Sequence, residues 1–279
     1  MTVQPAPGRP SVADVTVVVP TRNAASLLPG CLESVRRQEP GGLVVVDGRS
    51  SDDTVSIARR FGAEVVDDEG LGLPHARQLG ARTATTRYVA LVDADVVLPD
   101  GSLAALLDEC IDGGYAALQA GLESEAGPGY WGQALAWHHR TGRSRYWFGL
   151  VATIMERVRL LEHGFDPDFE SGEDIELRWR LAAAGERTGV SRKVVVRHRF
   201  DDSFAFAAGQ FRADGSGLAR MVRKHGLRGA PLLLLPGAAA ARGVVMSLVR
   251  LRPRWIPYYL AFAVGNYAAL FSELLRPRR

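Results

Sequence analysis

Two acidic pairs in this 279-residue chain have the placement that chemistry needs. Asp93 and Asp95 flank one alanine in ALVDAD, and Glu173 and Asp174 are adjacent in ESGEDIELRWRLAAAG. Carboxylates suit a hard divalent cation, which prefers oxygen ligands. A carboxylate within reach of a hydroxyl suits general-base work. Both pairs also have plainer readings. The first is equally an acidic turn after a strand, and the second a pair of acids favoured by the dipole of a first helical turn. Arg77, in LPHARQLG, offers a planar fork matched to phosphate oxygens, or is one more surface arginine. Thr21, Asp47 and His198 each close a β-branched run.

The elements that must position these groups alternate. VTVVVP (15–20) is a continuous β-branched run, as expected of a strand buried on both faces. Leu27, Leu28, Cys31, Leu32 and Val35 then follow helical spacing until Gly41 and Gly42 break it. LVVV (43–46) is a second strand, TVSIARRF a helix behind the capping candidates Ser51 and Asp52, and AEVV a third strand. HARQLGARTA reads as a further helix and YVALV (88–92) as a fourth strand. Strands separated by short helices imply right-handed crossovers and a mostly parallel sheet flanked by helices, a Rossmann-like α/β fold. Thr21, Asp47 and Asp93 then share the carboxyl edge of the sheet, where open α/β sheets bind ligands. Beyond residue 120 the pattern is less regular. A loop enters a helix that ends at Gly185, and KVVVRH (193–198) is a last strand.

Charge is unevenly spread. From Arg212 to the end there are 12 Arg/Lys against 2 acids, leaving 22 against 29 in the preceding 211 residues. A basic tail on an acidic body points to an anionic partner, and its apolar content favours a membrane surface over nucleic acid. Cys31 and Cys110 lie far apart with no metal-type spacing and read as reduced, buried thiols of a cytosolic protein. The first dozen residues are rich in Pro and Gly without an apolar core, a loose tail rather than a signal peptide.

Taken together, VVVPTRN, VVDGRSSDDT, GLPHARQLG, ALVDAD, GFDPDFESGEDIELRWRLAAAG and VVVRH occur in the order and spacing of family 2 glycosyltransferases, which the chain resembles over about residues 15–200. The resemblance implies an inverting, metal-dependent enzyme of GT-A fold that moves a sugar from a nucleotide-sugar donor to an acceptor hydroxyl. It implies that Asp95 of the DxD motif ligates Mn²⁺ or Mg²⁺, and that Asp93 reaches the ribose or a metal-bound water. Asp47, beside Pro20 and Thr21, would accept a hydrogen bond from the donor's pyrimidine. Here the chain departs from the family's two successive acids, since Gly48 and Arg49 follow Asp47. Arg77 would face the diphosphate, Asp174 would be the general base and Glu173 an acceptor-side support. His198 is a further candidate metal ligand. Trp131, Trp137, His138, His139 and Trp147 are open to two readings, an acceptor-stacking surface or ordinary core, and the second is the commoner.

The C-terminal segment lies beyond that resemblance. APLLLLPGAAAARGVVMSLVRL and WIPYYLAFAVGNYAALFSELL are each near the length that spans a bilayer. A spanning hairpin would carry Arg250, Arg252 and Arg254 to the far side, against the positive-inside rule, and would bury Arg242 in the first span. Helices lying in the interface avoid both costs, and packing on the catalytic unit or on a second subunit is the third option. The expected organisation is therefore a flexible tail (1–13) and a catalytic domain (14–202). The domain would divide into a nucleotide-sugar-binding half (14–120) and an acceptor-binding half (121–202). A helical, membrane-associated apolar and basic extension (203–279) would follow. The expected partners are a nucleotide-sugar donor, a glycan or lipid-linked acceptor of the cell envelope and the inner face of the membrane, with no nucleic acid. A non-catalytic nucleotide-sugar-binding scaffold is the competing reading, though a binder needs no base at Asp174. A dinucleotide-dependent oxidoreductase fits the alternation but lacks GxGxxG after the first strand.

Overall fold

The computed structural model describes residues 8–142 and 148–276. Its frame is an eight-stranded mixed sheet in the order β3-β2-β1-β4-β7-β6-β8-β5. β1 (Val15–Thr21), β2 (Gly42–Asp47), β3 (Glu64–Asp67) and β4 (Tyr88–Val92) form the parallel half, β1 lying between β2 and β4. Every residue of β1 and β4 is buried, as their unbroken β-branched and apolar character requires of strands covered on both faces. α1 (Leu28–Arg36) and α2 (Thr54–Arg60) pack on one face with α4 (Ser102–Asp112). α3 (Leu73–Thr83), α6 (Arg157–His163) and α7 (Glu173–Ala183) pack on the other.

The second half reverses direction. β7 (Ala152–Glu156) runs antiparallel to β4 and to β6 (Ala117–Ala126), and β6 runs parallel to the long β8 (Thr188–Phe200). β5 (Val96–Val97) leaves β4 after three residues yet pairs with β8 at the opposite edge. Three linking residues reach only about 14 Å between strand ends, so the sheet must curl until its β8–β5 edge comes back to the end of β4. The link is Asp93-Ala94-Asp95. The curl thus brings the acidic turn against the end of β8, and the Arg199 amide donates to the Asp95 carbonyl at 3.0 Å.

After β8 the chain is helical. α8 (Phe204–His225) starts at Ser203, whose hydroxyl accepts from the Phe206 amide at 3.1 Å. α9 (Leu235–Val249) and α10 (Ile256–Leu275) follow, joined to α8 through short 3-10 turns. Small residues set these contacts. A Cβ on Gly215 would lie 2.2 Å from the Asn266 carbonyl oxygen, and one on Gly243 would lie 2.0 Å from the Tyr259 ring. Glycine lets α8 and α9 press directly on α10. α5 (Tyr130–Thr141) joins this layer, and Trp131, Trp137 and His138 pack among Tyr258, Tyr259 and Phe262. These aromatics therefore serve packing between α5 and α10, and Trp147 lies outside the described residues. His139 instead meets the Ser124 hydroxyl at 2.6 Å.

Candidate active site

Geometry at the carboxyl edge begins with α3. A Cβ on Gly80 would lie 2.2 Å from Val18 on β1, so the helix sits unusually close to the sheet. Arg77 is one turn earlier on that face, near the helix N-terminus, and its side chain is only 2% exposed. One Nη donates to Asp93 Oδ1 at 2.9 Å and the other to Glu173 Oε1 at 2.6 Å. The resemblance implies a guanidinium facing a diphosphate. The structure instead places Arg77 inside, bridging the acidic turn after β4 to the start of α7. Burial opposes its charge, but Asp93 and Glu173 outweigh that and hold it protonated.

Asp93 is pushed up to about 6 by burial, against the pull of Arg77. Asp95 turns the other way. Its Oδ2 lies 3.2 Å from His198 Nε2, while its Oδ1 is buried without a hydrogen-bond partner among the described residues. Burial opposes a proton on His198, yet the hydrogen bond and charge of Asp95 raise its pKa. No three His, Cys, Asp or Glu side chains among the described residues converge on one point. Asp95 and His198 thus form a two-residue pair, short of a cluster that could hold a cation by itself. A hard cation at this pair would need most of its oxygen ligands from elsewhere, such as phosphate and water.

Thr21 and Asp47 are register partners on β1 and β2. The Asp47 carboxylate accepts from the Ser50 amide at 3.0 Å through one oxygen, and its other oxygen is buried without a partner among the described residues. An unpaired buried acceptor is costly, so a donor group supplied by a ligand is a natural complement. The loop behind it is fixed. Asn23 accepts from the Ser51 amide and Asp52 accepts from the amides of Ala25 and Thr54. Asp52 thereby ties the β1–α1 loop to the start of α2, its carboxyl lowered chiefly by the Thr54 hydroxyl.

Asp174 stands in the first turn of α7. Burial, and then Glu173, push it up to about 6 against the helix-end amides. Beyond β8 the sequence reading missed a partner. Asp214 on α8 is exposed, and the protein crowded around it, followed by the charge of Asp174, raises its carboxyl. The contact that brings α8 there is glycine on glycine. A Cβ on Gly217 would lie 3.0 Å from the Gly172 backbone, and Gly172 itself has φ +78°. The Gly215-Ser216-Gly217 run inside an amphipathic helix was the available signal for this close approach. Gln119, also missed, is buried on β6 and accepts from the amides of Gly149 and Val151, fixing the floor beside Asp174.

A curled mixed α/β sheet flanked by helices, with a helical extension after the last strand, is a GT-A-like fold. The family described as glycosyl transferase family 2 matches residues 16–164. An uncharacterized glycosyltransferase of Mycobacterium tuberculosis is 36% identical over 184 residues, covering 62% of this chain and 81% of that protein. The pre-mycofactocin glycosyltransferase of Mycobacterium tuberculosis is 30% identical over 98% of this chain, which spans 58% of that relative's length. S. aureus TarS in complex with UDP-GlcNAc shares the fold at TM-score 0.55 and 16% identity, over 92% of this chain and 90% of that one. The chain belongs to glycosyl transferase family 2. The family match ends before Glu173, Asp174 and His198.

Proposed function

We propose that the chain is an inverting glycosyltransferase that takes a nucleoside-diphosphate sugar as donor. It transfers the sugar to a hydroxyl of a lipid-linked or cell-envelope glycan acceptor at the cytoplasmic face of the membrane. The observation that carries this is the Arg77 bridge from Asp93 to Glu173, which ties the turn carrying Asp95, itself paired with His198, to the start of the helix carrying Asp174. Asp47, with its second oxygen buried, receives the base of the donor beside Pro20 and Thr21. Asp93 orients the donor while held by Arg77, which acts as a positioning residue here. A divalent cation, Mn²⁺ or Mg²⁺, held by Asp95 with His198 beside it, would neutralise charge on the departing diphosphate.

Asp174 accepts the proton of the acceptor hydroxyl. That oxygen forms a bond to the anomeric carbon as the bond to the diphosphate oxygen breaks, and the electron pair leaves with the diphosphate. Attack from the opposite side inverts the centre. Glu173, anchored on Arg77, keeps Asp174 at its post. On this reading residues 14–202 are the catalytic unit, its halves (14–120 and 121–202) serving donor and acceptor. Asp95→Asn replaces a charged ligand with a poorer neutral one for a hard cation. Calorimetry should then show donor affinity in Mn²⁺ falling at least tenfold, with little change in chelator. Equal donor affinity of both proteins in Mn²⁺ would remove Asp95 from the cation site.

Support for membrane attachment comes from the outer face of the helical layer. Residues 230–249 form one helical stretch long and apolar enough to cross a membrane by length and composition. Val249 is 72% exposed, Val264 70% and Phe271 57%, while the opposite faces of α9 and α10 are covered by the rest of the chain. Arg242 donates to the Thr141 carbonyl, which keeps α9 seated against α5. Helices lying on the surface, with arginines at their ends, fit that two-sided arrangement. Flotation with phosphatidylcholine vesicles should rise with added phosphatidylglycerol, by about 1 kcal/mol per basic residue at the surface, and fall in high salt. Carbonate-resistant insertion, with residues 250–254 labelled from outside the cell, would contradict it.

A further inference from the structure

A cavity lies at the seam between the catalytic layers and the C-terminal helices. Its volume is about 510 Å³, and Arg140, Arg252, Arg254, Trp137, Trp255 and Glu125 are among its lining residues. The three arginines form no ion pair with any carboxylate among the described residues, while Glu125 is directed to Arg197 at 3.9 Å. Arg254 lies over the Trp255 ring, 4.2 Å from its centroid, and the Trp137 and Trp255 rings stack 6.2 Å apart. Both indole N–H groups are sealed in the wall without a hydrogen-bond partner among the described residues. The cavity thus gathers three guanidiniums and one carboxylate, Glu125, which is directed to Arg197. Guanidinium donors call for an anion with several oxygens, since their forks match phosphate.

Two neighbours say what carries that anion. Ser124, on the cavity wall, pairs in register with His198 and hydrogen-bonds His139, so the cavity borders the candidate cation site. On its outer side, Leu251 is 86% exposed and adjoins Arg252 directly, continuing the exposed apolar face through Val249. We infer that this cavity is a phosphate-headgroup site, taking the phosphate or diphosphate of an acceptor carrier whose apolar chain continues over Val249 and Leu251. The lipid source of that phosphate rests on the acceptor reading given above; the phosphate chemistry does not.

The test uses the full chain and two probes, inorganic pyrophosphate and dihexanoyl phosphatidic acid below its micellar concentration, read by tryptophan fluorescence and calorimetry. Saturable binding is expected. The double variant Arg140→Gln/Arg254→Gln should weaken it at least tenfold. All three arginines are exposed at the rim, so their replacement leaves the packed core in place. Should the double variant melt early, the three single Arg→Gln variants give the same reading at several-fold each. The control Arg59→Gln/Arg60→Gln removes equal charge from exposed positions on α2 and should change binding by less than twofold. Phosphatidic acid binding at least tenfold tighter than pyrophosphate identifies a lipid carrier, and equal affinities identify a soluble phosphate. No saturable binding of either probe, or the same loss in the control, would overturn the site. Because binding is read without turnover, a donor reaction that fails to appear leaves this result standing on its own.

Discussion

Asp174→Asn should lower the transfer rate on the order of 10²–10⁴-fold while leaving donor affinity almost unchanged, the loss expected for a positioned base. The wild-type rate should climb as pH rises through about 6, where burial and Glu173 place the Asp174 carboxyl, and the variant should lack that limb. Stability should move the opposite way. A carboxyl raised from 3.8 to about 6 on folding makes the folded chain bind the proton more tightly than the unfolded one. Wild-type stability therefore falls as pH rises from about 4 to 6, and stays at the lower level above that. Asparagine removes the penalty but also some favourable interaction with the helix end. A gain of about 1–2 kcal/mol for the variant at pH 8, and little at pH 4, is expected from urea unfolding. A variant that loses both rate and stability at pH 8 would assign Asp174 a structural role.

Arg77→Met should be the most damaging single change to the fold near the site. It leaves Asp93 and the 8%-exposed Glu173 facing each other across a space that a guanidinium had neutralised. Breaking a buried ion pair by removing one partner costs about 3–5 kcal/mol, because the remaining charge has no compensation. Arg77→Lys should recover only part of this, since an ammonium cannot offer two parallel forks. Urea midpoints of the three proteins check the order wild type, lysine, methionine. If methionine unfolds at the wild-type midpoint, the bridge carries little of the local stability and Arg77 is free to meet a ligand.

The parallel half of the fold was legible because burial on both faces writes itself as long β-branched runs. β1, β2, β3 and β4 fall on the expected segments to within a residue or two. Thr21, Asp47 and Asp93 come at strand ends for the same reason. The antiparallel half was harder to read. β6 carries Ala, Gln and Glu where strands favour branched residues, with a register shift near Gly121, and β5 has only two residues. Curl at β5, which joins Asp95 to His198, leaves no local pattern at all. Arg77 could be recognised as a phosphate-type residue, but its partners lie 16 and 96 positions away. Their convergence depends on α3 settling on β1 at Gly80, a contact visible only in three dimensions. Asp214 escaped notice because the Gly172–Gly217 approach joins segments 45 positions apart.

Nucleotide release from a panel of nucleotide sugars, followed with Mn²⁺, with Mg²⁺ and in excess chelator, tests the central claim most directly. One donor or a small set should be turned over with either cation, even without acceptor, as slow hydrolysis. Turnover should cease in chelator and return on adding the cation. Asp95→Asn should stay slow in both. Full turnover in excess chelator, or no turnover of any donor by a folded protein, would contradict the account.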